Sequence, residues 1–118
     1  MATMPKSATI YHNPRCSTSR TVLETIRDAG VEPTIIEYLK TPPTRDGLRK
    51  LLDDAGLQPS QAVRKRESLY KELGLADADE ETVFAAMVDN PILIERPIVV
   101  TDKGTRLARP AASVTEIL

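Results

Sequence analysis

Apolar residues in the first third of the chain follow the spacing of a strand, then of a helix, then of a strand again. Residues 8–11 are a short β-branched run that Asn13-Pro14 ends. Apolar side chains then recur at helical spacing within residues 22–29, and Gly30 supplies a helix stop. Residues 34–39 form a second β-rich run. This order predicts a βαβ unit.

The middle third of the sequence has helical spacing only. One predicted helix begins after Thr44 as its N-cap and ends at Gly56. A second covers about residues 60–73, and a third runs from Asp79 as N-cap to Asn90-Pro91. We therefore expect a helical segment inserted after the βαβ unit.

Two further strands are predicted near the C-terminus. Residues 98–100 have the pattern of a buried strand, residues 102–104 of a turn and residues 105–108 of its hairpin partner, while Pro110 opens a last helix. Parallel strands need a crossover and hairpin strands pair antiparallel. We therefore expect the α/β class, with a thioredoxin-like mixed sheet flanked by helices and an inserted helical segment in the middle third.

Composition and charge fit one folded domain over residues 1–118. Hydrophobic residues make up 41% and charged residues 28%, near the averages of soluble globular proteins. The formal charge of −1 lacks the positive excess that nucleic-acid binding normally requires. No stretch approaches the ~18 apolar residues of a membrane span, and no apolar leader opens the chain. We expect a monomer that binds neither nucleic acid nor membrane.

The chain has one cysteine, Cys16, and one histidine, His12. These counts exclude an internal disulfide and a Cys/His zinc site built from this chain alone. A lone cysteine also fits a reducing, cytoplasmic setting.

Cys16 lies where the first predicted helix begins. Unpaired backbone N–H groups and the helix dipole favour thiolate over thiol at such a junction. His12, Arg15 and Arg20 are close in sequence, and each can add a hydrogen bond or a positive charge. The alternative is that Cys16 is a small buried apolar residue and His12 a satisfied strand residue. The junction favours the reactive thiol.

Spacing around Cys16 separates several cysteine chemistries. A tyrosine-phosphatase loop needs an arginine where this chain has Val22, and a Cys-x-x-Cys dithiol needs a cysteine where it has Ser19. Because Ser19 cannot resolve a disulfide, any bond that Cys16 forms must be broken by an external thiol.

Three arginines stand outside the predicted apolar faces: Arg64, Arg96 and Arg109. Arg96 and Arg109 each precede a proline, which places them on short connections. A guanidinium group matches a tetrahedral oxyanion because its planar fork can bind two oxygens. The arginines therefore either hold an anion beside Cys16 or are solvated surface residues.

The string IYHNPRCSTSR at residues 10–20 resembles the signature of the glutaredoxin-coupled arsenate reductases, the ArsC family. Further segments resemble the family in the same order from about residue 8 to residue 118, among them NPILI at 90–94 and RPIVV at 96–100. The resemblance implies a thioredoxin-like fold, a cis peptide at Arg96-Pro97 and reduction of arsenate to arsenite. It implies no bound cofactor, with arsenate, glutathione and glutaredoxin as partners.

The resemblance also assigns roles to individual residues. Cys16 matches the family nucleophile and His12 the residue that helps lower the pKa of its thiol. Arg64, Arg96 and Arg109 match the oxyanion-binding arginines. Two alternatives stay open: a monothiol glutathione-dependent oxidoreductase, and a Spx-like regulatory protein that binds a partner through its helical segment. The Spx-like regulators typically carry the second cysteine that Ser19 replaces.

Overall fold

A computed structural model describes residues 7–118, and these residues divide into two compact units. One unit contains residues 7–41 and 96–118, and the other contains Pro42–Glu95. The expectation of one domain over residues 1–118 stays a prediction.

The first unit is built on a sheet. Its elements are, in chain order, β1 (Ala8–His12), α1 (Ser17–Asp28), β2 (Thr34–Glu37), β3 (Ile98–Thr101), β4 (Gly104–Leu107) and a 3-10 helix at Ala111–Ile117. The strand order is β2-β1-β3-β4, with β1 parallel to β2 and the other pairs antiparallel. The α/β class and the mixed sheet are thus confirmed.

Small aliphatic residues fill the core of this sheet unit. Helix α1 buries Val22 and Ile26 and then ends before Gly30, whose φ of 88° lies in the left-handed region that favours glycine. The C-terminal 3-10 helix contacts α1 and β4. The core consists of Ala8, Ile10, Val22, Ile26, Val31, Val99, Ala108, Val114 and Ile117.

The second unit is helical and lies between β2 and β3 in the chain. Its helices are α2 (Arg45–Ala55), α3 (Pro59–Ala62), α4 (Ser68–Glu72) and α5 (Glu80–Asp89), with 3-10 turns at Leu75–Asp77 and Pro91–Leu93. Both predicted N-caps form: Thr44 Oγ1 accepts the Gly47 N–H at 3.0 Å, and the Asp79 carboxylate accepts the Thr82 N–H at 2.8 Å.

The single helix predicted over residues 60–73 is wrong. Between α3 and α4 the chain leaves the helical conformation: Val63 pairs with Ile94 in a β-bridge, and a turn follows in which the Glu67 N–H donates to the Arg64 carbonyl at 3.2 Å. The Arg64 N–H donates to the Leu93 carbonyl at 2.7 Å, and the Glu95 N–H donates to the Ala62 carbonyl at 2.8 Å. This long-range pairing takes backbone groups that a continuous helix needs.

Two smaller predictions also differ from the structure. Strand β2 ends at Glu37, because the N–H groups of Lys40 and Thr41 both donate to the Glu37 carbonyl and turn the chain. The last predicted helix is a 3-10 helix, and it begins at Ala111, one residue after Pro110.

Within residues 7–118 every helix is too short or too polar to cross a bilayer. The first six residues, on which the expectation of no secretion leader depends, lie outside the described residues.

Candidate active site

The connection after β1 and the connection after β2 lie side by side. The two strands are parallel and their register pairs His12 with Glu37. Parallel strands end at the same edge of a sheet, so Asn13 and Tyr38 leave the sheet next to each other.

The arginine-proline pairs reach the same edge from the other two strands. Antiparallel β3 begins there, directly after Arg96-Pro97. β4 ends there at Leu107, and Ala108 separates its end from Arg109-Pro110. The Ala108 N–H donates to the Pro97 carbonyl at 2.9 Å and extends the hairpin to this point. Both arginine-proline peptides are cis. Sheet pairing, rather than sequence proximity, brings Arg96 and Arg109 toward the thiol.

A hydrogen-bonded turn presents Cys16 at the start of α1. The Cys16 N–H donates to the Asn13 carbonyl at 3.0 Å, and the Arg15 N–H donates to Asn13 Oδ1, also at 3.0 Å. Cys16 is the N-cap of α1, in extended conformation, and its carbonyl accepts the Arg20 N–H at 3.0 Å. Arg20 Nη1 in turn donates to the Pro14 carbonyl at 2.9 Å. These bonds fix the thiol at the positive end of the helix.

The pKa of the Cys16 thiol is lowered to about 7. Burial alone raises this pKa, but the Ser19 backbone N–H, the hydrogen bond and charge of Arg96, and the hydrogen bond of Arg109 together outweigh it. About half of the thiol is therefore ionised at neutral pH. Thiolate is the form that attacks electrophiles.

Arg109 links the thiol to the backbone of Arg96. Its Nη1 donates to Cys16 Sγ at 3.8 Å and to the Arg96 carbonyl at 3.1 Å. Arg96 is buried, whereas Cys16 and Arg109 are partly exposed. Two of the three predicted arginines therefore act on the predicted nucleophile. The arrangement places guanidinium groups, which can bind an anion, beside a sulfur that can act as a nucleophile.

His12 is buried and contacts Ser19 of the first turn of α1. Nδ1 of His12 lies 2.6 Å from Ser19 Oγ, which also accepts the Asn13 N–H at 3.2 Å. Burial lowers the pKa of His12, as do Arg20 and Arg27, while Glu37 raises it in part. A neutral imidazole that accepts the Ser19 hydroxyl hydrogen fits these contacts. His12 thus acts on the thiol turn as a hydrogen-bonding neighbour rather than as a cation.

A cleft of about 180 Å³ opens beside the thiol turn, at the ends of β1 and β2. Its rim carries charges of both signs, and Lys40 Nζ lies 3.6 Å from Glu37 Oε1. The lining residues are His12, Asn13, Pro14, Arg15, Glu37, Leu39 and Lys40. In the described part of the chain, no group of three or more His, Cys, Asp and Glu side chains is placed to hold a metal ion.

Comparison with known proteins identifies the family. A model of the ArsC family matches residues 11–117. The chain belongs to the ArsC family. An arsenate reductase of Escherichia coli K12 is 55% identical over 112 residues, which cover 93% of this chain and 79% of that protein.

Two further relatives match this ArsC-family chain over almost its whole length. An uncharacterized protein of Escherichia coli K12, YfgD, is 48% identical and covers 98% of this chain and 99% of its own. The solved structure of an arsenate reductase from Vibrio cholerae has a TM-score of 0.91 at 44% identity, and covers 97% of this chain and 99% of its own. The thioredoxin-like assignment of the fold agrees with this neighbour.

The third predicted arginine of this ArsC-family chain, Arg64, belongs to the helical unit. Its guanidinium lies 3.2 Å from Glu67 and 3.3 Å from Glu95, and its side chain is 17% exposed. Its assignment as an oxyanion ligand rests on the resemblance alone and stays a prediction.

Sequence analysis of this ArsC-family chain missed Asn13 and Tyr38. The sequence pattern indicates only a turn at Asn13 and only a β-rich run at Tyr38. Both are buried; Asn13 forms hydrogen bonds within the thiol turn, and Tyr38 follows β2 beside it. The parallel pairing predicted for β1 and β2 was the signal available, because it places the residues after the two strands next to each other.

Proposed function

We propose that this protein reduces arsenate to arsenite, with Cys16 as the nucleophile. The observation that carries the proposal is the contact of Arg109 with Cys16 Sγ at 3.8 Å, in a site where the pKa of the thiol is about 7. Relatives that carry the name arsenate reductase, among them one that is 55% identical, support the choice of oxyanion.

Arsenate is a tetrahedral anion, and the two arginines at the thiol suit its shape and charge. Arg96 and Arg109 each offer a planar fork of N–H donors that can bind two oxygens at once. Their positive charge also opposes the repulsion between an anionic substrate and the Cys16 thiolate. We propose Arg64 as a further ligand on the basis of the family resemblance.

The first chemical step forms a bond between sulfur and arsenic. The Cys16 thiolate attacks As(V), and a hydroxide leaves as water after taking up a proton. Arsenic remains As(V) in this step, because one oxygen ligand is exchanged for sulfur and no electrons are transferred. The arginines stabilise the negative charge on the remaining oxygens.

The two electrons must come from thiols outside the chain, because Ser19 stands where a second cysteine would be. A glutathione sulfur replaces another oxygen on arsenic. The glutaredoxin thiolate then attacks that sulfur, forms a mixed disulfide and leaves the bonding electron pair on arsenic as As(III). Water displaces Cys16 and releases arsenite. Cys16 must remain reduced between turnovers, and the cytoplasm keeps thiols reduced. We therefore propose the cytoplasm as the compartment of this protein.

A coupled assay tests this function. Purified protein with arsenate, glutathione and glutaredoxin should produce arsenite, and Cys16→Ser should lose at least about a thousandfold in kcat/KM, because the nucleophile is gone. Arsenate should remain unreduced when glutaredoxin is left out. Turnover by Cys16→Ser at the wild-type rate, or no arsenite from folded wild type, would overturn the proposal.

The second candidate is a glutathione-dependent oxidoreductase that acts on mixed disulfides. A lone thiol with a pKa of about 7 is the observation in its favour, because this chemistry needs Cys16 but no oxyanion site. A glutathionylated peptide tested beside arsenate separates the two. Turnover of the peptide and not of arsenate would select the second candidate.

A further inference from the structure

The cleft at the carboxyl ends of β1 and β2 is formed by the two turns that follow these parallel strands. On one side is the thiol turn, in which the Cys16 N–H donates to the Asn13 carbonyl at 3.0 Å. On the other side the N–H groups of Lys40 and Thr41 both donate to the Glu37 carbonyl at 2.9 Å. All the lining residues belong to the sheet unit. Small molecules commonly bind in such a crevice, beyond the carboxyl ends of parallel strands.

The cleft offers two positive charges and one negative charge to a ligand. Arg15 and Lys40 supply the positive charges, and Glu37 supplies the negative one. Arg15 is exposed, and Lys40 has 78% of its side chain exposed, with its Nζ 3.6 Å from Glu37 Oε1. An exposed pair at this distance contributes little to stability, so its two members can exchange each other for a charged ligand.

The size and the apolar surface of the cleft limit what it can hold. Pro14 and Leu39 line it together with the charged groups, so methylene groups of a ligand can be buried there. Its volume of about 180 Å³ is smaller than the ~300–1,000 Å³ of pockets that enclose drug-sized ligands. It therefore holds part of a small peptide and leaves the rest in solvent.

The position of the cleft indicates which kind of molecule it binds. Arg15 lines the cleft and directly precedes Cys16, so a ligand there lies beside the nucleophile. Because Ser19 provides no second thiol, the partner that Cys16 needs is an external thiol. Glutathione is a small peptide thiol with two carboxylates and one ammonium group at neutral pH. These charges are the opposite of the two cations and one anion of the cleft.

We propose that this cleft is the binding site for glutathione, the external thiol that reacts at Cys16. Arg15 and Lys40 bind its carboxylates, and Glu37 binds its ammonium group. The methylene groups of its γ-glutamyl arm pack on Leu39. Binding needs no arsenate, and only the use of the bound thiol in arsenate reduction rests on the proposed function.

A titration with S-methylglutathione tests binding without chemistry, because the sulfur of this ligand is blocked. The backbone amide NMR signals of Arg15, Leu39 and Lys40 should shift in wild-type protein. We expect a Kd in the millimolar range, because part of the ligand stays in solvent. Cleft signals that do not move at about 20 mM ligand would overturn the proposal.

Oxidised glutathione tests whether the cleft directs a reagent to Cys16. The thiolate attacks one sulfur of this disulfide, a mixed disulfide with glutathione forms, and the second glutathione leaves as its thiolate. The uncharged disulfide of 2-mercaptoethanol reacts in the same way but has no groups for the cleft. The rate with oxidised glutathione, divided by the rate with the uncharged disulfide, should fall about two- to fivefold in Arg15→Gln and in Lys40→Gln. The ratio cancels changes in the thiol itself.

Lys103→Gln is the matched control for Lys40→Gln. Lys103 lies in the turn between β3 and β4, at the opposite edge of the sheet, and the variant loses the same charge. Its rate ratio should equal that of wild type. An equal fall in both variants would show that net charge, rather than the cleft, attracts oxidised glutathione, and would overturn the proposal.

Glu37→Gln separates a glutathione site from a simple anion site. Loss of the contact with the ammonium group should weaken binding of S-methylglutathione about two- to fivefold. Tighter binding would show that the cleft selects negative charge alone, and would overturn its assignment to glutathione. Since none of these measurements contains arsenate, cleft binding without arsenate reduction would overturn the proposed function only. Arsenate reduction without cleft binding would overturn this site only.

Discussion

Arginines in the two units of this protein have different contacts. In the sheet unit, Arg109 donates to the Cys16 sulfur at 3.8 Å and to a backbone carbonyl at 3.1 Å, and Arg96 acts on Cys16 and Tyr38. In the helical unit, Arg64 lies within 3.3 Å of the carboxylates of Glu67 and Glu95.

The difference lies in where each positive charge acts. The carboxylates beside Arg64 offset its charge within the helical unit. The charge of Arg96 and the N–H donors of Arg109 instead lower the pKa of a thiol. The three side chains look equivalent in the sequence. In the structure Arg64 contacts carboxylates, Arg109 contacts the sulfur, and the charge of Arg96 lowers the pKa of the thiol.

Replacing a thiol-contacting arginine should have the largest effect. Arg109→Gln removes a donor from Cys16 Sγ, so the thiol pKa should rise by about half to one unit. Arsenate kcat/KM should fall by at least about tenfold, because an oxyanion ligand is lost as well. The pH dependence of alkylation and the coupled arsenate assay give the two values.

Arg106→Gln is the matched control for this variant. Arg106 lies on β4 and pairs with Glu116 at 3.0 Å, with 40% of its side chain exposed. It should change neither the thiol pKa nor arsenate turnover. Equal effects of the two variants would show that overall charge, rather than contact with the sulfur, sets the pKa.

Replacing Arg64 should act mainly on stability. Arg64→Ala removes a cation from between two carboxylates that are 27% and 19% exposed, so the free energy of unfolding should fall by roughly 1–2 kcal/mol. Urea denaturation gives the value. The nearby exposed Arg66→Ala should stay within about 0.5 kcal/mol of wild type.

The outcome for Arg64→Ala also bears on its proposed substrate role. The family resemblance predicts that arsenate KM rises in this variant. If the variant keeps wild-type stability and its arsenate KM rises, the ion pairs of Arg64 with Glu67 and Glu95 are not what this residue mainly contributes, and the stability prediction is wrong. A loss of stability with unchanged KM would remove Arg64 from the proposed oxyanion site.

Capping and helix-ending residues in the sequence predicted those parts of the fold that depend on residues adjacent in the chain. Gly30 ends α1 with positive φ, and Thr44 and Asp79 cap their helices as expected. The helix predicted over residues 60–73 failed because Val63 pairs with Ile94, a contact between distant residues. Helical spacing contains no information about such a partner.

In the candidate site, too, features set by neighbouring residues were predicted, whereas features set by distant residues were not. The sequence predicted Cys16 at the start of a helix, because strand, turn and capping signals are adjacent there. The sequence did not show whether the arginines lie near the thiol. Arg96 and Arg109 come close to Cys16 only because β1, β3 and β4 pair in the sheet. Tyr38 escaped notice because a buried tyrosine has the same sequence pattern as a core residue.

The central claim is that the surroundings of Cys16 lower the pKa of its thiol to about 7, so that about half of it is ionised at neutral pH. The most direct measurement is the ultraviolet absorbance of the thiolate as a function of pH, with Cys16→Ser as the blank. Because the chain has one cysteine, the difference belongs to Cys16 alone. The structure predicts a single transition with a midpoint of about 7. A midpoint at about 8.5 or above, the range of an unperturbed thiol, would contradict it.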